Sequence, residues 1–295
     1  MASHKRRSAA ASNANASPEQ PLPDSLAPFE AFLENWLEED VLPAPDSTPL
    51  EQAQMLVYQA WKEPASERRL QLAHQALSLS SDCADAYVLL AEEAATPEEA
   101  LQWYRQGVAA GERVLPPAWF ERHLGRFWHL PEARPYLRAR LGLAQSLWLC
   151  GQQEEALSHF WELLRLDAGD HQGVRYLLLE ALLMRKDVEA LRMLLDMYPD
   201  DDSAAWTYSR VLVLYQQEGD TLETRQALRQ ARQANPHVPA YLLGQKKLPR
   251  QLPEQITPGQ PDEAIDYVSV ALPYWKTTPG VLIWLKRQLA RASCR

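Results

Sequence analysis

Glycine is scarce in this chain, at 11 of 295 residues, and cysteine scarcer, at three. Long β-branched runs are missing as well. Together these disfavour a glycine-rich α/β enzyme. Cys83, Cys150 and Cys294 are odd in number, far apart and form no C-x-x-C pair. Neither a zinc site nor a disulfide framework is indicated, and reduced thiols in a cytoplasmic protein are expected. Basic charge is in deficit: Lys plus Arg is 30 against 39 for Asp plus Glu, a formal net charge of −9. That balance disfavours nonspecific nucleic-acid binding, which needs clustered cations on phosphate. No apolar stretch reaches the roughly 18 residues of a membrane helix. The basic start at Lys5, Arg6 and Arg7 leads into Ala, Ser and Asn and lacks the apolar centre of a secretory signal.

Apolar residues are present in quantity, 46% of the chain, enough for a sizeable core. Proline marks the organisation. Of 22 prolines, seven fall before residue 50 and eight from Pro236 onward. Residues 1–27 read as a disordered tail, and residues 28–49 as a short helix and Pro-rich linker. The helix is PFEAFLENWLEED, with Phe29, Phe32, Leu33, Trp36 and Leu37 at helical spacing. From Leu50 the pattern is nearly all helical, broken by short polar turns, so the expected fold class is all-α.

The helical region repeats itself. Ala156, Ala190 and Thr224 lie 34 residues apart, as do Phe160, Leu194 and Leu228. Gly151, Arg185 and Gly219 keep the step at the turns, and Ala168, Asp202 and Pro236 keep it at the ends. This resembles the tetratricopeptide repeat, with its period of 34 and its A-x3-F signature. Ala156-x3-Phe160 and Ala190-x3-Leu194 carry the resemblance, with Tyr208-x2-Val211-Leu212-x2-Tyr215 in the last unit. Arg140 and Thr224 depart from it. Upstream, 50–81 and 82–113 read as two more helix pairs, and about 22 residues near 114–135 are inserted. The resemblance implies a solenoid of helix-turn-helix pairs over 50–248. A Pro-rich loop and C-terminal helical cap follow over 249–295, with Trp275, Ile283, Trp284 and Leu285 packing on the last repeat.

A narrower resemblance covers 117–290. FERHLGRFWHLPEARPYLRARLGLAQSLW and EAIDYVSVALPYWKTTPGVLIWL are similar to a bacterial group of tetratricopeptide proteins, distantly related to suppressor-of-tumorigenicity-seven type proteins. It implies a helical-repeat adaptor without established chemistry.

No phosphate-loop, dinucleotide, nucleophile-elbow or H-E-x-x-H motif occurs. His123 and His129 are out of phase on a helix, and Asp200, Asp201 and Asp202 read as an inter-helix turn. No catalysis, metal or cofactor is expected. The tetratricopeptide resemblance implies a concave groove lined by the first helix of each pair. Carried over, its partner-binding positions include Arg138, Gln145, Trp148, Gln172, Arg175, Trp206, Ser209 and Gln216. There Arg138 and Arg175 would grip a carboxylate. Secondary contacts are expected from Trp119, His123 and Trp128 in the insert and from Lys246, Lys247 and Arg250. The expected function is a non-catalytic adaptor for a peptide or protein segment. The alternatives are a ligand-responsive regulatory subunit, or an enzyme using His123, Glu121, Arg134 and Tyr136.

Overall fold

The computed structural model describes residues 47–293, so the expected tail over 1–27 and helix over 28–40 lie outside it. Every regular element among the described residues is helical. The chain runs α1 (Pro49–Lys62), α2 (Ser66–Leu79), α3 (Ala84–Glu92) and α4 (Pro97–Val114). A short α5 (Trp119–Arg122) and two single 3-10 turns lead into α6 (Arg134–Leu149) and α7 (Gln153–Leu166). Then come α8 (Val174–Arg185), α9 (Val188–Met197), α10 (Ala204–Glu218) and α11 (Leu222–Ala234). The chain closes with α12 (Val238–Leu242), α13 (Pro261–Thr277) and α14 (Val281–Ser293).

Local chemistry sets the boundaries. Thr48 and Glu51 form a reciprocal capping box before α1, with Pro49 in the first turn. Thr96, Asp187, Ser203 and Thr221 cap α4, α9, α10 and α11 through their side chains. Two of the rare glycines, Gly151 and Gly219, take positive φ where α6 and α10 end. In the middle pair the left-handed residue is Lys186 instead.

α1 to α4, α6 to α11 and α12 to α14 each pack on the next helix in the chain, and α1, α3 and α6 also touch in succession. The repeat positions explain the packing. Ala156, Phe160, Leu194, Leu228 and Ala231 are buried. Thr224 is buried where alanine is usual, and its hydroxyl is satisfied by the Gly219 carbonyl at 2.9 Å. Met197 keeps the 34-residue step but is exposed, because α9 ends there after only 10 residues.

The insert does not form one covering helix. Phe127 and Trp128 are buried, and Gly125 exchanges backbone hydrogen bonds with Arg165 in the last turn of α7 and with Ala168 just beyond it. It therefore fills a gap in the body. The C-terminal helices also do more than cap an end. α13 packs across both α8 and α10, while α14 touches α10 and α13. Trp275, Trp284 and Leu285 are buried, but Ile283 is exposed.

Candidate functional site

α1, α3 and α6 bring together residues far apart in sequence. Asp85 sits in the first turn of α3, fully buried, in a helix that is apolar apart from Glu92 at its end. It accepts Arg138 Nε at 2.8 Å and also Arg138 Nη2, a two-pronged pair. Gln54 of α1 donates to the same carboxylate at 2.7 Å. The Arg138 guanidinium lies 5.4 Å from the Trp61 ring centroid. Tyr58 borders the pair, half-buried; burial, then the Asp85 charge, pushes its hydroxyl up to about 12. Lys62 is exposed beside it, and burial pushes the neighbouring Glu92 carboxyl up to about 7. The result is a half-buried aromatic surface over a neutralised ion pair, with Lys62 and Glu92 at its edge.

The groove residues expected from sequence fall differently. Arg138 cannot grip a partner, because it is buried and committed to Asp85. Arg175 is committed too: Asp201 takes its Nε at 2.9 Å, and Asp170 lies 3.6 Å from Nη1. It sits between the Tyr176 and Tyr198 rings. Trp148, Trp206 and Ser209 are buried and present no open surface. Trp206 is edge-on to Tyr176 and Tyr198, with its indole N–H toward the Leu195 carbonyl at 3.4 Å. Gln145 and Gln172 are half-buried, and Gln216 is exposed.

The physical reason for much of this is α13. Tyr267 reaches Ser209 with 3.5 Å between their oxygens, and Tyr274 donates to Gln216 at 2.5 Å. Glu263 in the first turn of α13 accepts from Ala204 N, Asn235 Nδ2 and Gly259 N at 2.7–2.9 Å. An amphipathic helix of the same chain occupies the α8–α10 face.

The secondary candidates divide. Trp128 is buried, stacked on His171 at 5.6 Å, with Arg134 above it. Trp119 and His123 are half-buried and edge-on to each other. Lys246, Lys247 and Arg250 are exposed, with Lys246 5.7 Å from the Tyr241 ring centroid. Tyr136, raised for the enzyme alternative, is buried and bonded to Arg140. Burial pushes the Cys83 thiol up to about 12, so it stays protonated and unreactive. No group of three or more metal-binding side chains occurs among the described residues. Nor is any described helix long and apolar enough to cross a membrane.

Sequence reasoning missed Asp85, Tyr58, Trp61 and Glu92 as a unit. The one local signal was an acidic residue inside ADAYVLLAE, which must find a cation if that run is buried.

The fold defines an all-helical protein built from consecutive packed helices. The profile of the ST7 protein family matches residues 40–123, which span α1 to α5. The chain is 29% identical over 263 residues to Suppressor of tumorigenicity 7 protein-like of Gallus gallus, covering 80% of this chain and 47% of that one. Against the Homo sapiens protein of the same description it is 30% identical over 261 residues, covering 80% and 45%. Against Suppressor of tumorigenicity 7 protein of Macaca fascicularis it is 27% identical over 285 residues, covering 80% and 53%. The chain is related to the suppressor of tumorigenicity 7 proteins, and spans about half the length of these relatives. All three are animal proteins, whereas the sequence resemblance pointed to a bacterial group. No solved structure matches the chain.

Proposed function

We propose that the protein is a non-catalytic adaptor, a tetratricopeptide-type stack whose first-helix face holds a partner segment. The 34-residue register supports the repeat assignment, together with the succession α1, α3, α6 on one face. One observation carries the function: a helix of the chain itself already lies on that face, where α13 covers α8 and α10. A surface that buries Tyr267, Tyr274 and Trp275 of its own chain has the shape and chemistry to hold an amphipathic helix. The neighbouring stretch of α1, α3 and α6 is the partner site. Tyr58 and Trp61 supply aromatic area, and Lys62 and Glu92 set the register by charge. The Asp85–Arg138 pair holds this wall in place and does not contact the partner.

The test is affinity capture from native lysate with the wild type and the charge reversals Lys62→Glu and Glu92→Lys. A Lys246→Glu, Lys247→Glu variant serves as the control. A partner retained by wild type and control but lost by the reversals supports the site. Equal capture by all moves the contact off this face, and capture by none sinks the adaptor reading.

A further inference from the structure

The contact between α13 and α8 contains an unusual pairing of like charges. Glu180 of α8 is half-buried, and its Oε2 is buried with no hydrogen-bond partner. Its electrostatic neighbour is Asp266 of α13, and the neighbour of Asp266 is Glu263. No cation answers them from the surrounding elements. On α7, Glu162 pairs with Arg165, and Glu154 pairs with Arg185 of α8. His159 of α7 is held uncharged, pushed down to about 4 by burial and then by Arg140. On α9, Asp187 caps its own helix and Glu189 accepts from Gln217. Arg210 of α10 donates to the Leu195 carbonyl. α12 carries no charged residue, and Lys276, Lys286 and Arg287 are exposed. Glu263 already accepts hydrogen bonds from three donors.

A buried carboxyl oxygen without a hydrogen-bond partner, at a helix contact whose nearest charges are also acidic, ionises only at a cost. We propose that α13 is a proton-held latch: Glu180 and Asp266 retain protons while α13 is docked, and losing them loosens α13 from the α8–α10 face. The consequence for partner access rests on the adaptor reading above; the latch itself does not. A partner helix reaching that face would compete with α13, and would compete best in the deprotonated protein.

The sign follows from the shifts. Burial, then the Asp266 charge, raises Glu180 well above its ordinary range. Burial, then Glu263, raises Asp266 to about 6. Both are raised in the docked state, so docking is strongest below their ordinary values, near pH 4, and weakens as pH rises through about 6 and beyond.

Amide hydrogen exchange on the full chain reads the latch without a partner. Protection of amides 264–277, corrected for intrinsic exchange, is compared at pH 5.5 and pH 8.0, with α6 as internal reference. Asp266 alone, shifted to about 6, gives about a fourfold loss of protection over that interval, and Glu180 adds to it. Glu180→Gln together with Asp266→Asn is expected to remove the dependence and leave α13 protected at pH 8.0. Each single variant is measured as well, in case the double variant fails to fold; each should reduce the step. Wild-type protection independent of pH overturns the proposal, as does a dependence that survives both single substitutions. Neither result bears on whether α1, α3 and α6 hold a partner.

Discussion

At the scale of single residues, Asp85 and Arg138 illustrate why a buried charge is tolerated. Each is removed from water, and each is satisfied by the other, with Gln54 filling a further position on the carboxylate. Removing one partner leaves an uncompensated charge. Asp85→Ala is therefore expected to lower stability by about 3–5 kcal/mol. Replacing both, as Asp85→Leu with Arg138→Met, should stay within about 2 kcal/mol of wild type. Urea unfolding of the two variants decides it: a single substitution no worse than the double would mean that Arg138 finds water or another acceptor. The two arginines singled out from sequence were the right residues to notice, since both do make forked or shared contacts with carboxylates. Their partners lie in their own chain, 53 and 26 positions away. Spacing along one helix carries no information about such partners.

At the scale of elements, scarcity of glycine becomes informative. α4 and α6 approach closely where Gly111 and Gly142 lie. A Cβ on Gly111 would meet Tyr136 Cβ at 2.8 Å, and one on Gly142 would run into the Tyr104 ring. Gly142→Ala is expected to cost about 1–3 kcal/mol from overpacking, despite the better helix propensity of alanine. An unchanged denaturation midpoint would show that Tyr104 swings aside freely. α13 is fixed by a different device, the Glu263 carboxylate bridging α10, Asn235 and Gly259. Glu263→Ala orphans three buried or half-buried donors. It should lower stability by about 2–4 kcal/mol, with α13 losing exchange protection before α6 does. Loss of protection spread evenly over all helices would mean that α13 does not open separately. Much at this scale was legible in the sequence. MLVYQAWK, ERRLQLAHQALSL and PEEALQWYRQGV each carry a helical apolar stripe, and they form α1, α2 and α4. The insert was not legible as structure. Trp128 was expected as a surface contact, but it is buried against His171, which comes later in the chain.

At the scale of the whole molecule, consecutive helices are held by neighbour contacts, and α13 adds a tie between α8 and α10. Removing residues 244–295 would expose the α8–α10 face, including Ser209 and Tyr208, whose ring packs near Tyr267. The expected result is loss of exchange protection over α8 to α11, with α1 to α4 still protected. Retention of full protection in both halves would show that the last two pairs are self-sufficient and α13 is an accessory.

The sequence by itself determined the helices. Their periodicity, their caps and the 34-residue step are local properties, written in the residues that carry them. Only the tertiary structure decided which helix faces are covered. Arg138, Arg175, Trp206 and Ser209 look like surface residues when each helix is read alone. Arg138 is closed off by Asp85, Arg175 by Asp201 and Ser209 by α13, across 26 to 58 positions of chain, and Trp206 by Tyr176 and Tyr198. Exposure depends on what the rest of the chain places against a residue, and for this protein the deciding groups arrive from other elements and turns.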